Sequence, residues 1–130
     1  MGKNKICKIV GRIDKSITDR YNISKYENQE IVQSLDFYSH VYKHISEFES
    51  FDAYNEVVIN IEKILANPYF VYYEKAKNSL RYFYEMSENI CVVVKLKLKD
   101  NDDNYVATVY PVSKNKVIKL KEKSYIIGSC

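Results

Sequence analysis

The hydrophobic period of this 130-residue chain changes at Pro68, and this change constrains the fold more than any other feature. Before Pro68, apolar residues recur at intervals of three and four, which predicts an amphipathic helix. Its apolar face consists of Tyr54, Val57, Val58, Ile61, Ile64 and Leu65. Asp52 is the predicted N-cap, and Asn67-Pro68 ends the helix because proline disfavours helical geometry in the residue before it. A second helical pattern covers residues 35–48.

After Pro68 the period becomes two, which is typical of strands. Four segments have this pattern: PYFVYYE, SLRYFYEM, NICVVVKLKL and NYVATVYPV. Their connectors KAKN, SEN and KDNDD are short and polar, so neighbouring strands are predicted to pair as antiparallel hairpins. The predicted fold class is therefore α+β, with N-terminal helices packed on one face of a four-stranded antiparallel sheet.

A chain of this length is expected to form a single domain over residues 1–130. We divide it into an N-terminal arm (1–30), a helical part (31–67), and an antiparallel sheet with a basic tail (68–123). In the arm, KICKIVGRI alternates weakly, which leaves a strand or a poorly ordered segment open. The three widely spaced cysteines form no disulfide framework or zinc ribbon and favour a reducing, cytoplasmic environment. No apolar run is long enough to span a membrane.

Side-chain alternation in the last hairpin separates an apolar face from a polar one. Centring the turn near Asn101–Asp102 pairs Lys95 with Thr108, Val93 with Tyr110, and Leu96 with Ala107. The apolar set is Val92, Val94, Leu96, Leu98, Ala107 and Val109, with Tyr105 among them. The opposite set is Cys91, Val93, Lys95, Lys97, Val106, Thr108 and Tyr110. That second set suits an anion-binding face, and it also suits an ordinary solvent-facing sheet surface.

The charge distribution adds to the anion-binding interpretation. Lys and Arg exceed Asp and Glu by 11 to 6 in residues 75–130, whereas they are outnumbered 9 to 11 in residues 1–74. Clustered positive charge attracts phosphate backbones whatever their sequence. A solvated lysine-rich surface is the alternative.

The only two histidines, His40 and His44, are four residues apart, so both lie on one side of a helix. The spacing is that of the two zinc ligands of a metallopeptidase helix, but Val41 stands where such a helix has its catalytic glutamate. No third histidine exists, so no metal and no cofactor is expected. A histidine that titrates near neutral pH can instead exchange a proton with a substrate. The alternative is that both histidines lie on the protein surface and have no catalytic role.

The order of these parts resembles the phage-linked branch of the barnase/EndoU/colicin/RelE nuclease superfamily. The resemblance covers residues 31–118 and rests on KHISEF, ILANPYFVYY, NSLRYFYE, ICVVVKLKL and YVATVYPVS. It implies a barnase/RelE-like fold and a metal-independent ribonuclease, a hydrolase that binds RNA on a sheet face. Such proteins are toxins or phage effectors of the bacterial cytoplasm, often neutralised by an immunity or antitoxin partner.

Carried over to this sequence, the resemblance implies that His44 is the catalytic histidine and that Thr108 and Tyr110 are the hydroxyl-bearing strand residues. Ser79 matches less closely, Lys95 would stabilise charge, and His40 would support or lie at the surface. The helix carrying the histidines is expected along the margin of the sheet, with the imidazole of His44 within about 10 Å of Thr108 or Tyr110.

Two other functions remain open from the sequence. A non-catalytic module could bind RNA, or inhibit a host protein, through the basic face and exposed tyrosines, since tyrosine suits both kinds of partner. A structural accessory subunit could use the tyrosine-rich strands and the segment YIIGSC as an oligomer contact. The sequence leaves the oligomeric state, the RNA target and the second proton-transfer group open.

Overall fold

A computed structural model describes residues 7–34, 42–86 and 88–128, without the side chains of residues 42–44 and 124–128. The helices are α1 (Lys15–Tyr21), α2 (Phe51–Ile59), α3 (Ile61–Ala66) and α4 (Lys114–Gly128). The strands are β1 (Cys7–Arg12), β2 (Glu30–Ser34), β3 (Phe70–Glu74), β4 (Ser79–Glu85), β5 (Asn89–Lys95) and β6 (Asn104–Pro111). Short 3₁₀ helices cover Ser24–Tyr26, Tyr42–Glu47 and Lys75–Lys77.

The described strands form one six-stranded mixed sheet in the order β1-β2-β6-β5-β4-β3. The α+β class is confirmed, and β3 to β6 form the predicted antiparallel meander. The prediction of a four-stranded, wholly antiparallel sheet is wrong, because β1 pairs antiparallel with β2, and β2 pairs parallel with β6. For KICKIVGRI the strand, one of the two alternatives left open, is observed as β1, whereas β2 was not predicted. Residues 1–30 thus contain β1 and α1, and residues 31–67 begin inside β2.

A buried asparagine secures the parallel pairing of β2 with β6. Asn104 is 2% exposed, and its Nδ2 donates to the Glu30 carbonyl (3.1 Å) and to Gln29 Oε1 (3.0 Å). Its Oδ1 accepts from the backbone N–H of Lys97 (2.9 Å). Since a buried amide is costly without partners, these three bonds fix where the N-terminal strands join the meander.

The helical segment before Pro68 buries the six residues predicted for its apolar face: Tyr54, Val57, Val58, Ile61, Ile64 and Leu65. It is two helices rather than one, with a break at Asn60, whose side-chain Nδ2 donates to the Glu56 carbonyl (2.7 Å). The predicted N-cap, Asp52, is wrong. Ser50 caps α2 by accepting from the Ala53 N–H (3.0 Å), and Asp52 lies in the first turn.

The predicted helix over residues 35–48 appears in the described residues as the 3₁₀ helix Tyr42–Glu47. Residues 35–41 lie outside the described part of the chain. Ile45 packs against the main core and Phe48 is buried in it, as expected for the apolar side of this segment.

The segment predicted to be a basic tail is helix α4, which begins directly after Ser113. The Ser113 hydroxyl accepts from the Lys116 N–H (3.1 Å). Val117 and Leu120 of α4 pack on the sheet face opposite α2 and α3, against Tyr72, Phe83 and Cys91. Both faces of the sheet are therefore covered, one fully and the other in part. None of the described helices has the length and apolar character needed to cross a membrane.

The two edge strands, β1 and β3, are bridged by helices. Tyr21, at the end of α1, donates its buried hydroxyl to the Val71 carbonyl of β3 (2.7 Å). On the other edge, a Cβ added to Gly11 of β1 would lie 3.4 Å from Leu65 of α3. The sheet is therefore curled, and α1 and α3 fill the gap between its edges.

The register of the last hairpin differs from the predicted one by two residues. Val93 pairs with Thr108 and Cys91 with Tyr110. A shift by two keeps each side chain on its face, so the separation of Thr108 and Tyr110 from the core was correct. The extra residue Ala107 then forms a bulge, which was not predicted.

Three side chains of that hairpin do not lie where they were predicted. Val106 pairs with Val94 in the core instead of lying beside Thr108, and Tyr105 lies opposite Lys95 instead of on the apolar face. Leu98, predicted to be in the core, lies beyond the end of β5 and is 81% exposed.

Candidate active site

Three cross-strand rows of side chains cover the sheet face opposite α2 and α3, which we call the candidate face. Residues within a row are direct partners on β3, β4, β5 and β6. The first row is Phe70, Phe83, Cys91 and Tyr110; the second is Tyr72, Arg81, Val93 and Thr108; the third is Glu74, Ser79, Lys95 and Tyr105. The polar groups are concentrated in the second and third rows.

Helix α4 turns the first row into a small second core. Val117 packs with Tyr72, Phe83 and Cys91, which are all buried, and Phe70 stacks on Phe83 with ring centroids 5.9 Å apart. Tyr72 and Val93 of the second row also belong to this core, whereas Arg81, Thr108 and Lys95 of the second and third rows are half-buried. A ligand would therefore reach the candidate face beside α4, not beneath it.

The Glu74 carboxylate and the Arg81 guanidinium form an ion pair across β3 and β4. Their side chains are 25% and 15% exposed, so solvent screens the pair weakly. The two groups are close but lack hydrogen-bond alignment, and the buried Nε of Arg81 has no acceptor among the described residues. A guanidinium is suited to phosphate oxygens, which it binds in a planar, two-pronged geometry.

Tyr110 and Cys91 are hydrogen-bonded partners in the first row. Burial raises the pKa of the Tyr110 phenol above its ordinary value, and the adjacent thiol raises it further. Burial also raises the pKa of Cys91 to about 12, against the smaller lowering effect of the Tyr110 hydrogen bond. Both groups stay protonated at neutral pH, so Tyr110 can act as a hydrogen-bond donor and not as a base.

The other sequence-predicted strand residues share the candidate face. Thr108 has a buried Oγ1 with no hydrogen-bond partner in the described part of the chain. Lys95 donates through Nζ to the Lys77 carbonyl (3.1 Å) and lies directly opposite Ser79. Ser79 is 1% exposed, so it lines the base of the face and is not an accessible group.

The turn between β3 and β4 fixes the third row. Asn78 adopts left-handed backbone geometry (φ 47°), which asparagine tolerates better than most residues. Its side chain accepts from the Tyr73 hydroxyl (3.0 Å), and its backbone carbonyl accepts from the Leu96 N–H (3.0 Å). The turn is thereby tied to the end of β5, which holds Glu74, Ser79 and Lys95 in register.

The two histidines cannot be placed relative to this face. His40 lies outside the described residues, and only the backbone of His44 is described, within the 3₁₀ helix Tyr42–Glu47. That helix contacts β6, the strand that carries Thr108 and Tyr110. The expected separation of about 10 Å between His44 and those hydroxyls stays a prediction. Within residues 7–34, 42–86 and 88–128, no cluster of three His, Cys, Asp or Glu side chains is arranged to hold a metal ion.

Glu74 and Arg81 are the candidate residues that sequence reasoning missed. The signal was present, because Arg81 interrupts the apolar strand SLRYFYE and Glu74 ends the strand before it. The same alternation that separated the faces of β5 and β6 extends across the KAKN turn and assigns both charges to the candidate face.

Comparison with known proteins bears on what such a face does. The family described as phage-Barnase-EndoU-ColicinE5/D-RelE like nuclease 3 matches residues 8–119. The chain belongs to this family. The match runs from β1 into α4, so it includes the two N-terminal strands as well as residues 31–118. Membership supports a nuclease function and a phage origin, in agreement with the resemblance stated above. No curated protein and no solved structure matches the chain.

Proposed function

We propose that the chain is a ribonuclease that cleaves RNA by attack of the 2′-OH and needs no metal ion. The observation that carries the proposal is that the Glu74–Arg81 ion pair shares one sheet face of a nuclease-family chain with Thr108, whose hydroxyl has no partner among the described residues. RNA supplies its own nucleophile, so the site must provide a base, a proton donor and positive charge. Arg81 and Lys95 supply positive charge at the face.

In the proposed mechanism, a substrate phosphate displaces the Glu74 carboxylate from Arg81, since a guanidinium binds phosphate in the same two-pronged geometry as carboxylate. The freed carboxylate accepts the 2′-OH proton while the 2′-oxygen forms a bond to phosphorus. The bond from phosphorus to the 5′-oxygen breaks, and the His44 imidazolium protonates the leaving oxygen. The products are a 2′,3′-cyclic phosphate and a 5′-hydroxyl. His44 is assigned the acid role on the family resemblance, and the contact of its helix with β6 supports this.

The remaining residues of the candidate face bind the phosphate in this proposal. Thr108 donates its hydroxyl, which has no partner among the described residues, to a non-bridging oxygen, and Lys95 balances the charge that develops on the phosphate. Tyr110 donates after releasing Cys91, whose sulfur is a weak acceptor. Ser79 lines the face, and His40 supports His44. The biological setting we propose is a toxin or phage effector of the bacterial cytoplasm, neutralised by a partner that covers the candidate face.

The test is incubation of purified protein with total RNA in EDTA, with Glu74→Gln and His44→Ala variants in parallel. Glu30→Gln is the matched control, because Glu30 also pairs with an arginine on a neighbouring strand but belongs to β2, outside the three rows of the candidate face. We expect cleavage by the wild type and by Glu30→Gln, with 2′,3′-cyclic phosphate ends, and its loss in the other two variants. His40→Ala should cost less activity. Unchanged cleavage by Glu74→Gln would refute its role as the base.

The coverage of the first row by α4 favours a second candidate function, a non-catalytic RNA- or protein-binding module. In that case the face would offer only its outer two rows as a docking surface. Salt-sensitive RNA binding by the wild type without any cleavage product would select this function over the first.

A further inference from the structure

A cleft of about 890 Å³ opens where the two sheet edges approach each other, between β1, α1, the start of β3 and α4. We call it the edge cleft. Its volume lies in the range of about 300–1,000 Å³ that ligand sites occupy. It is separate from the second and third rows of the candidate face, and the proposed mechanism does not use it.

Positive charge dominates the lining of the edge cleft. Arg12, Arg20 and Lys121 line it, and Asp14 is its one carboxylate. Asp14 caps α1 by accepting from the Ser16 N–H (2.9 Å), and the Ser16 hydrogen bonds lower the pKa of that carboxyl. Arg12 also pairs with Glu30 (3.1 Å), but both side chains are about half exposed, and such pairs are weak. The cleft therefore favours an anion.

An exposed tyrosine adds a stacking surface. Tyr69 is 60% exposed although its backbone N–H is fixed to the Phe83 carbonyl (2.8 Å). Lys121 Nζ lies 4.6 Å from the centre of its ring and 3.2 Å from its hydroxyl. An aromatic ring beside cations is the combination by which proteins hold single-stranded nucleic acid, since the ring stacks on a base and the cations contact the backbone.

The edge cleft continues from the candidate face. Tyr69 directly precedes Phe70, which stacks on Phe83 in the first row. Lys121 is one helical turn beyond Val117, which packs on the same row. A strand bound at Arg81 could therefore follow the margin of α4 to its second turn and enter the cleft.

We infer that the edge cleft is a subsite for single-stranded RNA, in which one base stacks on Tyr69 and the flanking phosphates contact Lys121, Arg20 and Arg12. The inference rests on the proposed function, because it extends the path of the same substrate. It predicts that substrates long enough to reach the cleft are bound more tightly than short ones. It also predicts no contribution of the cleft to the bond-breaking step.

The test measures binding of a fluorescein-labelled 2′-O-methyl RNA oligonucleotide, which lacks the nucleophile and cannot be cleaved. The variant is Tyr69→Ala with Lys121→Gln, and the matched control is Lys119→Gln, which removes one charge from an exposed position of α4 outside the cleft. We expect the cleft variant to raise Kd about tenfold or more and to reduce its salt dependence, as loss of a stacked base and a phosphate contact requires. The control should change Kd by about twofold or less.

Equal Kd values for the cleft variant and the Lys119→Gln control would overturn the inference, while cleavage by the wild type in EDTA would still uphold the ribonuclease proposal. If the wild type does not cleave but the cleft variant loses binding, the subsite stands and the proposed reaction fails. Displacement of the oligonucleotide by polyglutamate as readily as by unlabelled RNA would identify an acidic protein as the occupant and overturn the assignment to RNA. Thermal unfolding of each variant tests whether a loss of fold causes the change in Kd. We expect the melting temperature to stay nearly the same, because Tyr69 is mostly exposed.

Discussion

The two faces of the sheet differ in what covers them and in which groups they leave without partners. The face under α2 and α3 is apolar, and its central residues Leu80, Val92 and Val94 are fully buried. The candidate face has apolar residues mainly in its first two rows, and it also carries a carboxylate, a guanidinium and a hydroxyl that has no partner among the described residues. Half-buried charge costs stability unless it is compensated. The first face accounts for folding, and the second retains groups that folding does not require.

The largest expected contrast concerns the thiol beneath α4. Burial raises the pKa of Cys91 from 9.0 to about 12, so its thiolate fraction near pH 8 falls about a thousandfold. In a Cys7→Ser/Cys130→Ser background, we expect Cys91 to react with a thiol-specific disulfide reagent roughly that much more slowly than it does in denaturant. Labelling of the exposed Cys7 in the wild type, measured separately, gives the rate of an accessible thiol. Fast labelling of native Cys91 would mean that α4 leaves the first row open.

Arg81→Ala should lower the rate of RNA cleavage by about a hundredfold to a thousandfold, because one preorganised donor to the reacting phosphate has that typical value. Arg81→Lys should recover part of the loss, since lysine restores the charge but not the paired donors. Initial rates on a defined RNA give the measurement. A change confined to KM would assign Arg81 to substrate binding and remove it from the transition state.

Substitutions on the two faces should also differ in how much they lower the free energy of unfolding of the protein. Leu80→Ala removes a fully buried core residue, and we expect it to lower the stability by about 2–5 kcal/mol in urea titrations. Val93→Ala, on the half-buried second row, should cost about 1 kcal/mol. Comparable losses at the two sites would show that α4 and its row contribute as much to the fold as the main core does.

The smallest expected effect is the difference in stability between two variants that each lose one tyrosine hydroxyl. Tyr82 is fully buried, and its hydroxyl has no hydrogen-bond partner in the described residues, so Tyr82→Phe should leave stability unchanged or raise it by up to about 1 kcal/mol. Tyr21→Phe leaves the buried Val71 carbonyl without its donor and should cost about 1–2 kcal/mol. Thermal denaturation of both variants measures the difference, and a larger loss for Tyr82→Phe would reveal a bond to a group outside the described residues.

The parts of the fold that could be predicted are those in which one period runs over a long segment. The alternation of β3 to β6 and the apolar stripe of α2 and α3 predicted both the class and the main core. β1 and β2 alternate only weakly between apolar and polar residues, and the pairing of β2 with β6 involves Asn104, a contact remote in sequence. In α4 most positions are lysine or other polar residues, so the helical spacing of Val117 and Leu120 was not recognised.

The candidate site could be predicted only in part, for a related reason. The faces of β5 and β6 follow from alternation alone, so Lys95, Thr108 and Tyr110 were assigned to one side correctly. The bulge at Ala107 is set by packing around Val106 and has no sequence signal of its own. Glu74 and Arg81 required the alternation to be carried through the KAKN turn into β3 and β4.

The bond from Asn104 to the Glu30 carbonyl spans 74 residues, and it has a consequence for the order in which the protein forms during translation. Each hairpin of β3 to β5 can close soon after synthesis, because its contacts are local. β6 is the last strand made, and the β1–β2 hairpin cannot join β3 to β5 before it appears, because β2 pairs with β6. β6 also carries Thr108 and Tyr110. On the proposed mechanism, a nascent chain that already holds Glu74 and Arg81 therefore lacks a complete site, so it would spare its own messenger RNA until β6 has been made and has paired.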